Sequence, residues 1–376
     1  MEQKTSFLGG IIEAFLRGNL AVLFILLSLT VGGAALLITP REEEPQIVVP
    51  VADVLIAYPG GSAEEVENLV SARLERMLAQ IDGVEYVYSM SRPGAAVVTV
   101  RFYVGQDREA SLIKLYNKIF QNLDKTTPGI AGWVVKPVEI DDVPVVAATL
   151  FSEHYDTHQL YRVAEEAVDQ LQHVADTATI SIHGGQKRVV YLYLDPERLA
   201  AHGVSALELA GVLQLSNAQL EGGTFEQGNA TVRVETGPFL RHAREVENLV
   251  VGLHDGRPVY LRDVARVEDG PAEVESYTRI GFGPAADGKS EIRNSKSEKP
   301  ESLPAVTIAV AKKKGSNAVA VTREVQQALE RLRGSVIPDD VQVRITRDYG
   351  ATANEKVNDL VTNLLEAIIT VIALIA

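Results

Sequence analysis

The end of this chain constrains it most. Residues Leu360 to Ala376 read LVTNLLEAIITVIALIA, and from Ala367 onward no charge, glycine, proline or basic flank interrupts the run. A bilayer core about 30 Å thick takes roughly 20 residues of helix. The segment is therefore expected to start a membrane crossing that the given residues do not complete. The expectation that follows is the N-terminal part of a longer polytopic membrane protein. The other end agrees. Leu20 to Ile38 (LAVLFILLSLTVGGAALLI) is an uncharged run between Arg17 and the Pro40-Arg41-Glu42 exit. It is longer than the roughly 7–15 residues of a signal-peptide core and has no A-x-A site before Pro40, so an uncleaved anchor is expected.

Residues 41–359 exceed one small domain of roughly 100–200 residues, so two or three are predicted. A net charge of −14, from 50 acidic and 36 basic residues, argues against nucleic acid as a partner. The complete lack of cysteine removes disulfides, thiolate metal sites and thiol nucleophiles.

From Val51 the periodicity predicts a strand at 51–58, a turn at Pro59-Gly60-Gly61 and a helix opened by the capping box Ser62…Glu65 and running to about Gln80. Strands near 84–90 and 95–104, separated by Arg92-Pro93-Gly94, a helix at about 108–123 and a strand near 133–138 complete a βαββαβ order, that of a ferredoxin-like domain. One sheet face is expected under both helices. The pattern restarts with a strand at 144–152, a helix at about 157–173 and a strand at 178–183. It resumes only at 304–311, followed by a helix at about 317–333 and a strand at 341–346. The reading is an α+β membrane protein: transmembrane helix, two ferredoxin-like βαββαβ subdomains, the second split by an inserted α+β subdomain, then the start of a second transmembrane helix. The expected boundaries are 1–39, 40–139, 140–186, 187–270 (the insertion), 271–350 and 351–376. Within the insertion lie the strand VVYLYL, helices after Asp195-Pro196 and Ser205, a Gly-rich arm at Leu220 to Val234, a helix at 242–248 and a hairpin at His254-Asp255-Gly256. Residues 281–303 are polar and aperiodic and read as a mobile surface loop.

In this order the residues resemble the resistance-nodulation-division (RND) efflux transporters, inner-membrane pumps of tripartite export systems. The carriers are the anchor with REEEP, YPGGSAEEVE with IDGVEYVYSMS, LSNAQLEGG and its arm, PVYLRDVARVEDG, and VTIAVAKKKGSNAV leading to the terminal helix. The resemblance implies two porter subdomains, with residues 187–270 as the docking subdomain. Leu220, Gly222, Gly223 and Phe225 then lie on an arm reaching a neighbouring protomer of a homotrimer. It implies a periplasmic soluble region on the bacterial inner membrane, a periplasmic adaptor and an outer-membrane channel as partners, small amphiphilic substrates, no covalent chemistry and no cofactor. By position it assigns Val145, Ala147, Ser181, His183 and Tyr277 to the substrate pocket, where the aromatics usual in the family are missing. With only Met1, Met77 and Met90 present, the heavy-metal branch is disfavoured. A bitopic periplasmic binding or adaptor protein, and an RND-related secretion or lipid transporter, remain alternatives.

Other clusters have plainer readings. His154, Asp156 and His158 are read as a helix start rather than a metal site. Asp141 and Asp142 are read as solvated loop acids and Lys312, Lys313 and Lys314 as a solvated turn. Glu366 is expected near the membrane interface.

Overall fold

The computed structural model describes residues 20–42, 47–138, 142–218, 220–228, 230–236, 239–283 and 302–375. The chain is a mixed α+β protein with an apolar helix at either end of the described region. The first helix, α1 (Leu20–Ile38), is wholly uncharged, and Val22, Phe24, Ile25, Leu26 and Leu29 stand exposed along it.

The first unit begins with β1 (Val51–Ala57), where Ala52, Val54 and Ile56 are buried and their neighbours are not, the period of two that a half-buried strand requires. Helix α2 runs Ala63–Val66, passes through a π-helical turn at Glu67–Ser71 and continues as Ala72–Leu78. Its start is fixed by a capping box. The Ser62 amide donates to Glu65 at 2.8 Å, holding that carboxyl below the usual range, and the Glu65 amide donates to Ser62 Oγ at 3.3 Å. Strands β2 (Val84–Arg92) and β3 (Ala95–Phe102), helix α3 (Arg108–Phe120) and β4 (Gly132–Val138) follow. The sheet order is β2-β3-β1-β4, with antiparallel neighbours throughout. Val66, Val70 and Leu78 of α2 join Leu115 and Ile119 of α3 in one core with β1 and β3, so both helices cover the same face.

The second unit repeats this arrangement with a break. Strand β5 (Val146–Phe151), helix α4 (Thr157–Leu171) and β6 (Thr177–His183) come first. Strand β14 (Leu303–Lys312), helix α9 (Ala318–Leu332) and β15 (Gln342–Asp348) return after the excursion between them. Strand β14 pairs antiparallel with β5 on one side and β6 on the other, and β5 carries β15 on its far edge. A short strand β13 (Arg279–Ile280) lies against the start of β14. Val146, Ala148, Leu150, Val306, Ile308 and Val310 form the core beneath α4 and α9.

The excursion has a core of its own. Strands β7 (Arg188–Leu194) and β12 (Ala265–Pro271) pair across it. Between them lie helices α5 (Pro196–His202) and α6 (Ala206–Ser216), the ribbon β8 (Leu220–Gln227) with β9 (Ala230–Thr236), helix α7 (Ala243–Glu247), the hairpin β10 (Val250–His254) and β11 (Arg257–Tyr260), and helix α8 (Leu261–Val264). Leu199, Val204, Leu209, Val246, Val251, Val259, Leu261 and Val264 are buried together. Strand β12 was not predicted: ARVEDGP offers only Ala265 and Val267 as alternating apolar residues, and its partner is remote in sequence.

At the root of the excursion the two chain passages meet. The Ala272 amide donates to Lys187 O and Gln186 Nε2 donates to Ala272 O, each at 2.8 Å. Gly184 (φ 78°) and Gly185 (φ 77°) make the turn, and a Cβ on Gly185 would lie 2.9 Å from Thr157 O and Tyr161.

The terminal helix α10 (Tyr349–Ile375) is, among the described residues, the one helix long and apolar enough to cross a membrane. Its base is stitched to the end of α1. Arg41 donates to Asn354 and, at 3.1 Å, to Asn358, one turn apart on α10, while Arg41 O accepts from the Ala318 amide at 3.1 Å. Gly350 packs where any Cβ would meet Thr322 and Ala318 of α9, so α10 leaves flush against the unit. Lys312 corrects the expectation of a solvated turn: it ends β14, is only 5 % exposed and ion-pairs with Glu42 at 3.2 Å. A buried ammonium needs such a partner. Lys313 and Lys314 are exposed. Asp141 and most of the 281–303 segment lie outside the described residues, whereas Asp142 is exposed.

Because residues 187 and 272 already touch, replacing 188–271 by a short Gly-Ser linker should leave β6, β14, β5 and β15 paired. Hydrogen exchange should find β14 amides still protected, and loss of that protection refutes the separability of the two cores. A second expectation concerns pH. Arg188 grips Asp269 with Nε to Oδ1 at 2.8 Å and a second bond beside it, and these bonds hold the Asp269 carboxyl below its ordinary range. The stabilisation is then full above the unfolded pKa of about 3.9 and lost as pH falls through the lower folded value. Both side chains are partly exposed, so the effect is small. Urea titrations at neutral and acid pH should find Asp269→Asn less stable than the parent at neutral pH, with the gap closing in acid.

Candidate functional site

Strand alternation gives the second unit's sheet two chemically different faces. Opposite the helices, Ala147, Thr149 and Phe151 of β5 share a face with Ala305, Thr307 and Ala309 of β14 and with Ser181 and His183 of β6. The register sets them in rows. Ala309 sits opposite both Ala147 and Ser181, and Thr307 opposite both Thr149 and His183. Thr149 Oγ1 lies 2.9 Å from Thr307 Oγ1 and 3.1 Å from Thr346 Oγ1, and the Thr346 hydroxyl donates to Ala147 O at 3.2 Å. Ser181 Oγ is 3.0 Å from His183 Nε2. This hydroxyl row crosses the sheet on a floor of alanines.

One end of the face is apolar. Phe151, Ile280 and Ala305 are buried together with Phe282 and Leu303 against them. The Phe151 and Phe282 rings are 5.6 Å apart in a tilted arrangement. Arg279 donates to Ser302 Oγ at 2.9 Å and so ties β13 to the start of β14. The result is a shelf on which Thr149 and Phe151 are buried, while His183 and Thr346 are exposed and Ser181, Thr307 and Phe282 half-buried, so its accessible part pairs polar groups with one aromatic edge.

Of the residues assigned from sequence, this face gathers Ala147, Ser181 and His183. Val145 lies elsewhere: it precedes β5, its amide donates to Val310 O at 2.8 Å, its carbonyl accepts from Tyr349 N at 2.9 Å, and its side chain is in the core under the helices. Tyr277 is 81 % exposed and projects into solvent. Sequence reasoning overlooked Thr149 and Phe151, which continue the period of two from Ala147, and it treated aromatics as missing from the sheet. Phe282 gave no signal because it sits in an aperiodic stretch.

The arm residues fall on the β8–β9 ribbon. The register slips between Glu221 and Gly223, where Gly223 takes φ 111°, so Gly222 is the extra residue of a bulge. Phe225 faces Val232 across the ribbon, and both are exposed. A lone two-stranded ribbon is marginal in water.

Ser181 and His183 do not make a nucleophile system. No described carboxylate lies within hydrogen-bond or ion-pair reach to orient the imidazole, as such a pair needs. Asp156 caps α4, accepting from the Gln159 amide at 2.7 Å, and His158 Nδ1 lies 2.9 Å from Gln186 O, holding the root of the excursion. Among the described residues no group of three His, Cys, Asp or Glu is arranged for a metal.

Phe151 is 3 % exposed, so Phe151→Ala should empty the aromatic end and cost about 3 kcal/mol of the second unit's stability. Denaturant unfolding followed by hydrogen exchange at β14 checks this. A loss below about 1 kcal/mol means that Phe151 and Phe282 do not pack as described.

Comparison with known proteins adds a lineage to this geometry. The model of the AcrB/AcrD/AcrF family matches residues 11–376. A multidrug resistance protein MdtC of Pectobacterium carotovorum is 24 % identical over 96 % of this chain and 33 % of its own length. A multidrug resistance protein MdtF of Escherichia coli K12 is 25 % identical over 93 % of this chain and 33 % of its own length. The chain thus spans about a third of the length of these relatives. With a family match running over nearly every residue, this chain belongs to the AcrB/AcrD/AcrF family, the RND permeases that its motifs resemble.

Proposed function

We propose that this chain is the N-terminal part of a proton-driven RND multidrug efflux permease of the inner membrane, exporting amphiphilic compounds through a tripartite envelope complex. In this reading α1 anchors the chain, the soluble units stand in the periplasm and α10 re-enters the bilayer. The two βαββαβ units are ferredoxin-like porter subdomains and residues 187–270 form the docking subdomain. The proposal gives the chain no enzymatic role, in keeping with the names of its relatives. Proton coupling is assigned to the part of the permease outside this chain, since about two thirds of the relatives' length has no counterpart here.

The observation that carries the reading is the partly exposed face of the second sheet opposite its helices. The exposed His183 and Thr346 and the half-buried Ser181 and Thr307 offer an amphiphile polar contacts on strands, and the half-buried Phe282 beside the buried Phe151 offers an apolar one. Ala147, Ser181 and His183 line it, while Val145 and Tyr277 contribute indirectly at most. The ribbon carrying Leu220, Gly222, Gly223 and Phe225 is assigned to a neighbouring protomer of a homotrimer, because the exposed Phe225 and Val232 need a partner to cover them. A periplasmic adaptor and an outer-membrane channel complete the assembly.

Irradiating the purified chain with a photoactivatable amphiphile should label peptides containing His183, Thr307 or Phe282, with much less labelling in Phe282→Ala. Labelling confined to α1 and α10 overturns the shelf as a substrate surface. The absence of native cysteine allows a topology test. A single cysteine at exposed Tyr277 should react with a membrane-impermeant maleimide in cells whose outer membrane has been permeabilised. Protection there until the inner membrane is lysed refutes the periplasmic assignment.

A further inference from the structure

The first unit holds a cavity of about 470 Å³ between α2, α3 and the sheet, within the roughly 300–1,000 Å³ of small-ligand pockets. Val54 and Ile56 form its floor, Leu69, Met77 and Ile119 its walls, and Trp133 one end. It lies in a different unit from the threonine shelf and does not depend on that reading.

Two independent observations mark it as a built site. The first is the π-helical turn Glu67–Ser71, which widens α2 where Leu69 and Val70 line the cavity. Such turns recur at functional sites because they displace side chains from the regular helical path. Here the distortion is secured: the Thr127 hydroxyl, 8 % exposed, donates to Leu69 O at 2.6 Å. The second is charge. Arg73, Arg76 and Lys125 stand exposed at the mouth, and the lining contains no Asp or Glu. Arg76 Nε donates to Ala72 O at 3.0 Å and Lys125 Nζ to Asn122 Oδ1 at 2.9 Å, contacts that leave both charges uncompensated. None of the three forms an ion pair among the described residues. In a chain of net charge −14, three cations around one apolar opening whose lining holds no carboxylate are a local concentration of positive charge.

We propose that this cavity binds a single-chain amphiphile with a carboxylate headgroup. The tail lies among Leu69, Met77, Ile119 and Trp133, and the carboxylate rests at the mouth among Arg73, Arg76 and Lys125. Burial of the tail supplies the affinity and the three cations select the headgroup.

Trp133 is the chain's sole tryptophan, so its fluorescence reports occupancy directly. The full chain, held in an amphipol, is titrated with dodecanoate brominated near the chain end, and separately with the dodecyltrimethylammonium compound brominated alike. Saturable quenching is expected for both, with the carboxylate roughly tenfold tighter at low salt. That preference should shrink as salt is raised, because the headgroup contacts are exposed. It should vanish in the triple variant Arg73→Gln, Arg76→Gln, Lys125→Gln, while Ile130→Phe, which fills the cavity, should weaken both ligands. Quenching that never saturates, or that saturates without headgroup preference, overturns the proposal. Should the triple variant lose its native circular dichroism, the salt dependence of the unaltered chain and the Ile130→Phe result decide the matter alone.

Discussion

The second unit depends on the seating of one strand. Strand β14 sits between β5 and β6 with Val306, Ile308 and Val310 fully buried. It must reach that slot from the far side of an excursion with its own core. Closing so long a loop is affordable because the entropy of closure grows only logarithmically with length. The contacts of Gln186 and Lys187 with Ala272 bring the two ends together, so the sheet meets the excursion as if it were a turn. In the first unit the same joint is a tight reversal at Arg92-Pro93-Gly94.

Strand β14 also ties the fold to the two apolar helices. Its last residue, Lys312, is buried against Glu42, and Arg41 reaches Asn354 and Asn358 on α10. The exit of one apolar helix and the entry of the other therefore share a base with the end of the central strand. Any shift of β14 along its neighbours has to be felt at that base, because close-packed cores transmit displacement rather than absorb it. The sheet face that carries the hydroxyl row is part of the same strand.

Much of the fold was legible because its signals are local. Capping boxes at Ser62 and Ser205, the N-cap at Asp156, the alternation of β1 and β3 and the apolar stripes of α4 and α9 all arise from neighbours within a few residues. The candidate site was legible only in part. Ala147, Ser181 and His183, assigned by position from the family resemblance, do share one face of the sheet. Val145 was misplaced because it precedes the strand, where alternation no longer applies. Lys312 read as solvated because its partner Glu42 is remote in sequence, and Phe282 sits in a segment without periodicity.

The sequence by itself determined the apolar ends, most of the element order (strand β12 excepted) and the family motifs, since each is written in hydropathy, turn residues and caps over short windows. Tertiary structure alone decided which strands became neighbours, and so which hydroxyls met across the sheet at Thr149, Thr307 and Thr346. It also decided that Phe151 found Phe282 and that three cations gathered at one cavity mouth. The physical reason is range: propensity acts through adjacent residues, whereas a binding surface is made from side chains that only the closed sheet and its packed helices bring within contact distance.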